Sequence, residues 1–201
     1  MSQCIYNLFV IGDHNVGKTS IIECFFGKPF EAFRRNTVYT DLRKKVFYLK
    51  NRETHLQIWD TPGNQRFRNG AISNFHSANG VLIIYDITNL QSFRNIPHWI
   101  EEIDKYTKSH VPVLLVGNKS DLEINREVRR ASVLEFSRAL NIPFIEVSAR
   151  LTINIERAFK MICNQIITLP NGNNQIETTS RNKSVGGCGS GSPCTGKCII
   201  S

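Results

Sequence analysis

Gly12-Asp13-His14-Asn15-Val16-Gly17-Lys18-Thr19 decides how this chain is read. The stretch has the spacing G-x-x-x-x-G-K-[ST], in which two glycines let the backbone wrap tightly enough for successive N–H groups to point inward at a polyphosphate. Lys18 then bridges the outer phosphates and Thr19 offers its hydroxyl to Mg²⁺. A helix starting near Gly17 aims its positive dipole end at the same anion. Ile5 to Ile11 is an apolar, β-rich run just before the loop, and Thr19 to Phe26 has helical spacing just after it. A chance match in a chain of this length is about a one-in-a-hundred event, so an ordinary glycine-rich turn is the poorer explanation. By itself the loop specifies only a nucleoside polyphosphate.

Working outward, apolar runs recur at Ile5–Ile11, Val46–Leu49, Leu56–Trp59, Val81–Tyr85, Val113–Gly117 and Phe144–Val147. Helical periodicity fills Thr19–Phe26, Ser92–Lys108, Arg130–Leu140 and Ile153–Ile167. This alternation predicts an α/β fold, a sheet covered by helices on both faces. The Val46–Leu49 and Leu56–Trp59 pair, joined through Lys50-Asn51-Arg52-Glu53, predicts a hairpin and so one antiparallel edge strand. In such sheets ligands sit beyond the carboxyl ends of the strands, where the phosphate loop also lies.

The chain has 201 residues, 41% of them apolar, which suits one domain. No run approaches the roughly 20 apolar residues of a membrane-spanning helix, and Met1 to Tyr6 lacks the pattern of a secretory signal. A soluble cytosolic protein is the expectation. The formal charge is +8; Arg181, Lys183 and Lys197 against Glu177 put +2 of it between Pro170 and Ser201. So dispersed an excess suits adhesion to acidic membranes and does not single out nucleic acid. After Leu169 the periodic apolar residues give way to Asn, Ser, Thr, Gly and Lys. The chain therefore divides into a domain over 1–169 and a flexible tether over 170–201, spanning about 30 Å. Cys4, Cys24 and Cys163 read as reduced, partly buried thiols. Cys188, Cys194 and Cys198 crowd the tail, but three thiols without a histidine or C-x-x-C spacing make a poor zinc site.

Three further motifs follow strands. Asp60-Thr61-Pro62-Gly63 ends the third, where a carboxylate can take Mg²⁺ through a water and a glycine N–H can approach a γ-phosphate. Asn118-Lys119-Ser120-Asp121 ends the fifth. Asp121 can accept two hydrogen bonds from the N1–H and exocyclic amine of guanine, which adenine cannot supply. Asn118 would brace the loop and meet the ring edge, with the Lys119 stem packed over the base. Ser148-Ala149-Arg150 follows the last strand, where the Ala149 N–H could reach the guanine O6. Each motif alone also suits a plain turn; their order carries the information.

That order resembles the small GTPases of the Ras superfamily, across about Ile5 to Ile167. Leu56 to Thr61, Arg66-Phe67-Arg68 and Val81 to Thr88 resemble the Rab branch, regulators of vesicle traffic that cycle between GTP and GDP forms. The resemblance implies a P-loop small G domain, with a six-stranded, mostly parallel sheet and two switch loops that order around the γ-phosphate. It implies nucleotide contacts at Asn15, Val16, Gly17, Lys18, Thr19, Ser20, Phe30, Thr37, Gly63, Asn118, Lys119, Asp121, Ser148, Ala149 and Arg150. Mg²⁺ falls to Thr19, Thr37 and, through a water, Asp60; hydrolysis falls to Lys18, Thr37, Gly63 and Asn64. Phe30 either leans on the guanine ring or anchors its loop. Switch II runs from Asp60 to about Ser77, and Leu42, Trp59 and Phe75 fall where Rab proteins place an apolar effector-facing triad, although Trp59 suits a core position as well. Implied partners are effectors at switch I and switch II, an exchange factor, a GTPase-activating protein and a prenyltransferase. The implied location is the cytosolic face of an endomembrane.

The chain also departs from the family pattern. Asn64 stands where Gln usually orients the attacking water; one methylene shorter, its amide falls about 1 Å short, and misplacement on that scale can cost about 100-fold. Pro62 stands where Ala is usual and should stiffen its loop. His14 and Asn15 replace small residues, and a bulky His14 could obstruct an inserted arginine, act as a proton carrier or face solvent. Tyr39-Thr40-Asp41-Leu42 differs from the Rab switch I signature. Cys198-Ile199-Ile200-Ser201 matches C-a-a-X, with Cys194 a second lipidation candidate; one lipid alone binds membranes marginally. The leading expectation is a slow GTP/GDP switch. A hydrolysis-deficient GTP-binding module and an ATP-using P-loop kinase are the alternatives.

Overall fold

The apolar run ahead of the phosphate loop forms β1 (Ile5–Gly12), the centre of a six-stranded sheet. The computed structural model describes residues 5–33, 37, 39–49, 52–63, 75–107 and 111–168. Cys4 and the tail 170–201 lie outside the described residues. The remaining strands are β2 (Asp41–Leu49), β3 (Arg52–Asp60), β4 (Gly80–Asp86), β5 (Val113–Asn118) and β6 (Phe144–Glu146). They lie in the order β2-β3-β1-β4-β5-β6, parallel except for the β2–β3 pair. The expected sheet, with its antiparallel edge, is therefore observed.

Both faces of the sheet are covered, which is why β1 and β4 read as continuous apolar runs. Leu8 and Val10 enter one core together with Ile22, Ile58 and Phe159; Phe9 and Ile11 enter the other with Ile83, Tyr85 and Trp99. The helices are α1 (Lys18–Phe25), α2 (Leu90–Arg94), α3 (Ile96–Tyr106), α4 (Arg130–Leu140) and α5 (Ile155–Thr168). The Phe25 and Phe159 rings stack 3.8 Å apart and join α1 to α5. Glu23 of α1 is buried against Arg43 of β2 and Lys28. Burial alone would push its carboxyl up, but the two cations outweigh it and hold Glu23 below the usual carboxylate range.

Three expectations change. The single helix predicted over Ser92–Lys108 is two, because Pro97 has no N–H to continue the ladder and instead sits in the first turn of α3. The first of these, α2, starts earlier, where the Asn89 side chain accepts from Gln91 N and Ser92 N. The hairpin is longer than its apolar residues suggest: Leu49 pairs with Arg52 and Asp41 with Asp60. Its outer positions alternate with polar residues, so apolar runs alone miss them. Helix α5 starts at Ile155, since Thr152 and Asn154 hold left-handed backbone just before it.

Cys24 and Cys163 are free and buried, and burial pushes the Cys163 thiol up to about 12. No helix among the described residues is long and apolar enough to cross a membrane.

The Phe25–Phe159 stack predicts the cost of emptying it. Phe159→Ala should destabilise the protein by about 3–5 kcal/mol and lower its thermal midpoint by about 10 °C. Calorimetry at saturating ligand checks this, and an unchanged midpoint would mean that the site collapses around the smaller side chain.

Candidate functional site

The turn from β1 into α1 depends on backbone that only glycine adopts freely. Gly12 has φ +138° and Gly17 φ +91°, and a Cβ on Gly17 would stand 2.3 Å from Asn118 Nδ2. Asn15, also left-handed at φ +62°, is a residue that tolerates this region, so its place in the loop carries little strain. Lys18 is buried at the start of α1, and its Nζ donates to the Gly12 carbonyl at 3.0 Å and the Asp13 carbonyl at 2.8 Å. The loop thus folds over its own ammonium group. The Asp13 carboxylate accepts from Asn95 Nδ2 and Trp99 Nε1, tying the loop to α3.

Beside Lys18 three oxygen-bearing side chains meet. Thr19 Oγ1 donates to Asp60 Oδ2 at 2.6 Å and lies 2.9 Å from Thr37 Oγ1. Asp60 closes β3 and is buried. Its Oδ1 has no hydrogen-bond partner, and burial pushes its carboxyl up against the opposing Thr19 hydrogen bond and Lys18 charge. An orphaned buried carboxylate oxygen beside two hydroxyls suits a hard divalent cation that keeps several waters. No cluster of three His, Cys, Asp or Glu side chains able to hold a metal occurs among the described residues, so a cation here would need further oxygens from its ligand. Gly63 closes this end. A Cβ on it would stand 2.6 Å from Asp13 O, His14 N and Lys18 Nζ alike, so any side chain there would displace the loop.

At the opposite end Asn118 connects three strand ends. Its Nδ2 donates to the Val16 carbonyl at 2.8 Å, and its Oδ1 accepts the Ala149 N–H at 3.2 Å. The Ser148 hydroxyl donates to Asp121 Oδ1 at 2.6 Å and fixes the carboxylate. Lys119, in left-handed backbone at φ +66°, pairs with Asp86 at 2.5 Å. Asp86 also accepts from the Thr88 N–H and hydroxyl. These groups surround a cavity of about 800 Å³, the size of a small-molecule site.

Of the residues singled out from the sequence, Asn15, Gly17, Lys18, Thr19, Ser20, Phe30, Thr37, Gly63, Asn118, Lys119, Asp121, Ala149 and Arg150 line this cavity. Val16 is buried and offers only its carbonyl, while Ser148 acts through Asp121. Phe30 is 42% exposed on the cavity wall, which rules out the buried-anchor reading. His14 is exposed and also lines the cavity. Phe75, read as effector-facing, is 2% exposed; it packs edge-on against Phe9, on which Trp59 stacks. Leu42 is exposed and pairs across the hairpin with Trp59. Asn64, Cys194 and Cys198 lie outside the described residues. The sequence reading missed the wall residues Glu31, Ala32 and Leu122, and the Asp86 partner of Lys119. Asp86 could have been found as a second acidic residue closing a strand, as Asp60 does.

A sequence model of the Ras family matches residues 7–168. The chain is also 38% identical over 181 residues to the GTP-binding protein ypt1 of Schizosaccharomyces pombe, a span covering 90% of this chain and 89% of that protein.

The linking role of Asn118 is measurable as stability. Asn118→Ala leaves the Val16 carbonyl and the Ala149 N–H unpaired in a buried setting, a cost of about 2–4 kcal/mol. The urea midpoint should fall by about 1 M; no fall would mean that these two bonds do not hold the strand ends together.

Proposed function

Because this chain belongs to the Ras family and is a small GTPase of its Rab-like branch, we propose that it acts as a GTP/GDP switch in vesicle traffic with a slow hydrolysis step. The observation that carries this reading is a single cavity with a phosphate-gripping end at Lys18, Thr19, Thr37 and Gly63 and a base-reading end at Asn118, Asp121 and Ala149.

Lys18 exchanges its carbonyl partners for the β- and γ-phosphate oxygens. The main-chain N–H groups of the loop and the first turn of α1 complete the cradle. Thr19, Thr37 and Asp60 are the residues that would hold Mg²⁺, Asp60 through a water, and the chemistry the ion would supply is neutralisation of phosphate charge. The Gly63 N–H reaches the γ-phosphate, so loss of that phosphate releases the Thr37 and Gly63 loops together. Phe30 and the Lys119 stem cover the two faces of the base. Asp121, oriented by Ser148, accepts the two guanine donors that adenine lacks.

Asn64 orients the attacking water from one methylene too far, and Pro62 restrains the same loop. This supports a slow clock and equally a second reading, a module that binds GTP without hydrolysing it and is set by exchange and effectors. Effectors and regulators meet the surfaces around Thr37, the exposed Leu42 and the segment after Asp60. The 170–201 tail, prenylated at Cys198 with Cys194 as a second lipid site, holds the switch to the cytosolic face of an endomembrane.

Two measurements test this. Purified protein should retain a guanine nucleotide, and Asp121→Asn should shift its preference toward xanthine nucleotides; indifference to that change would overturn the base assignment. In single-turnover GTP hydrolysis, Asn64→Gln should be up to about 100-fold faster than the wild type. Equal rates would show that the shorter amide costs nothing, and no turnover in the wild type would select the binding-module reading.

A further inference from the structure

We infer that Asn95 and Trp99 are positioning residues for the phosphate grip: acting through the Asp13 carboxylate, they set the bend of the loop that presents Lys18. The inference rests on the reading of the cavity as a nucleoside polyphosphate site and deepens it at one residue.

Asp13 does not line the cavity, yet it stands at the centre of the grip. Its carbonyl receives Lys18 Nζ at 2.8 Å, and the same oxygen is one of the three atoms that a Cβ on Gly63 would meet at 2.6 Å. Its side chain turns to α3. There Oδ2 accepts from Asn95 Nδ2 at 2.6 Å and Oδ1 accepts from Trp99 Nε1 at 3.0 Å. A carboxylate held at one oxygen can still pivot. Held at both oxygens by donors on separate side chains, it fixes its own torsions and with them the peptide plane that carries the carbonyl facing Lys18.

The donors are themselves rooted. Trp99 is 2% exposed within the core that includes Phe9 and Ile83. Asn95 sits at the break between α2 and α3, where its Oδ1 accepts Gln91 Nε2 at 2.8 Å. Both are neutral, so they strengthen a charge-assisted bond without placing a cation in competition with Lys18 for the phosphates. Asn95 and Trp99 stand one turn apart, each facing one oxygen of Asp13.

The test is release of radiolabelled GDP from the full chain in Mg²⁺, beside release of IDP, which lacks the exocyclic amine. Trp99→Phe keeps a ring in the core while removing the donor and part of the indole's volume; Asp13→Ala removes the acceptor. Each should release GDP about tenfold faster than the wild type, and the double variant should be no faster than Asp13→Ala alone. The ratio of GDP to IDP release should stay at the wild-type value, because the base-reading end is untouched. Asp13→Asn, which keeps an oxygen for one donor, should recover part of the loss and carries the test should Trp99→Phe fail to fold. Wild-type release rates in folded variants would overturn the inference, as would additive effects in the double variant; a purely structural tie lowers the melting temperature without moving release. Should the wild type hold no GDP at all, the reading of the cavity itself falls.

Discussion

A parallel strand can leave its sheet only at its carboxyl end, and that constraint assembles the site. The loops after β1, β3, β5 and β6 all emerge on one edge of the sheet, so four stretches far apart in sequence face one cavity. The buried Asn118 side chain then fixes their separation, since its amide holds the loop after β1 with one end and the loop after β6 with the other.

The same edge concentrates the polar interior of the molecule. Lys18, Asp60, Thr61, Asp86, Asn118 and Ser148 are all buried there. Removed from water, each must find partners, and most do so nearby: Thr61 donates to the Val10 carbonyl and Asp86 takes Lys119 and Thr88. Asp60 Oδ1 is the exception, and the upward push on its carboxyl reports the same deficit. A low-dielectric edge strengthens every interaction made with an incoming charge, which is the advantage of burying ionisable groups at a site.

Much of the site is legible in the sequence because its chemistry is local. A glycine-bounded loop followed by Lys18 and Thr19 needs only neighbouring residues to make sense, and so do Asp60 with Gly63 and Asn118 with Asp121. Relations across elements were not legible. Nothing near Asp13 in sequence announces Asn95 and Trp99, more than eighty residues away, as its partners. Phe75 has the composition of a docking residue and the position of a core one, because a T-shaped contact with Phe9 buries it. The helix over 92–108 has adequate periodicity on either side of a proline that divides it.

By itself the sequence determined the fold class, the order of the strands and helices, and which residue types could grip phosphate, Mg²⁺ and guanine. Tertiary structure alone decided which of those residues share the cavity wall, which act through a neighbour, and how far each strand of the hairpin extends. The reason is physical. Periodicity and turn chemistry are set by the few bonds around each residue, whereas a buried hydrogen bond or a ring contact exists only where packing brings two distant stretches within about 3–5 Å.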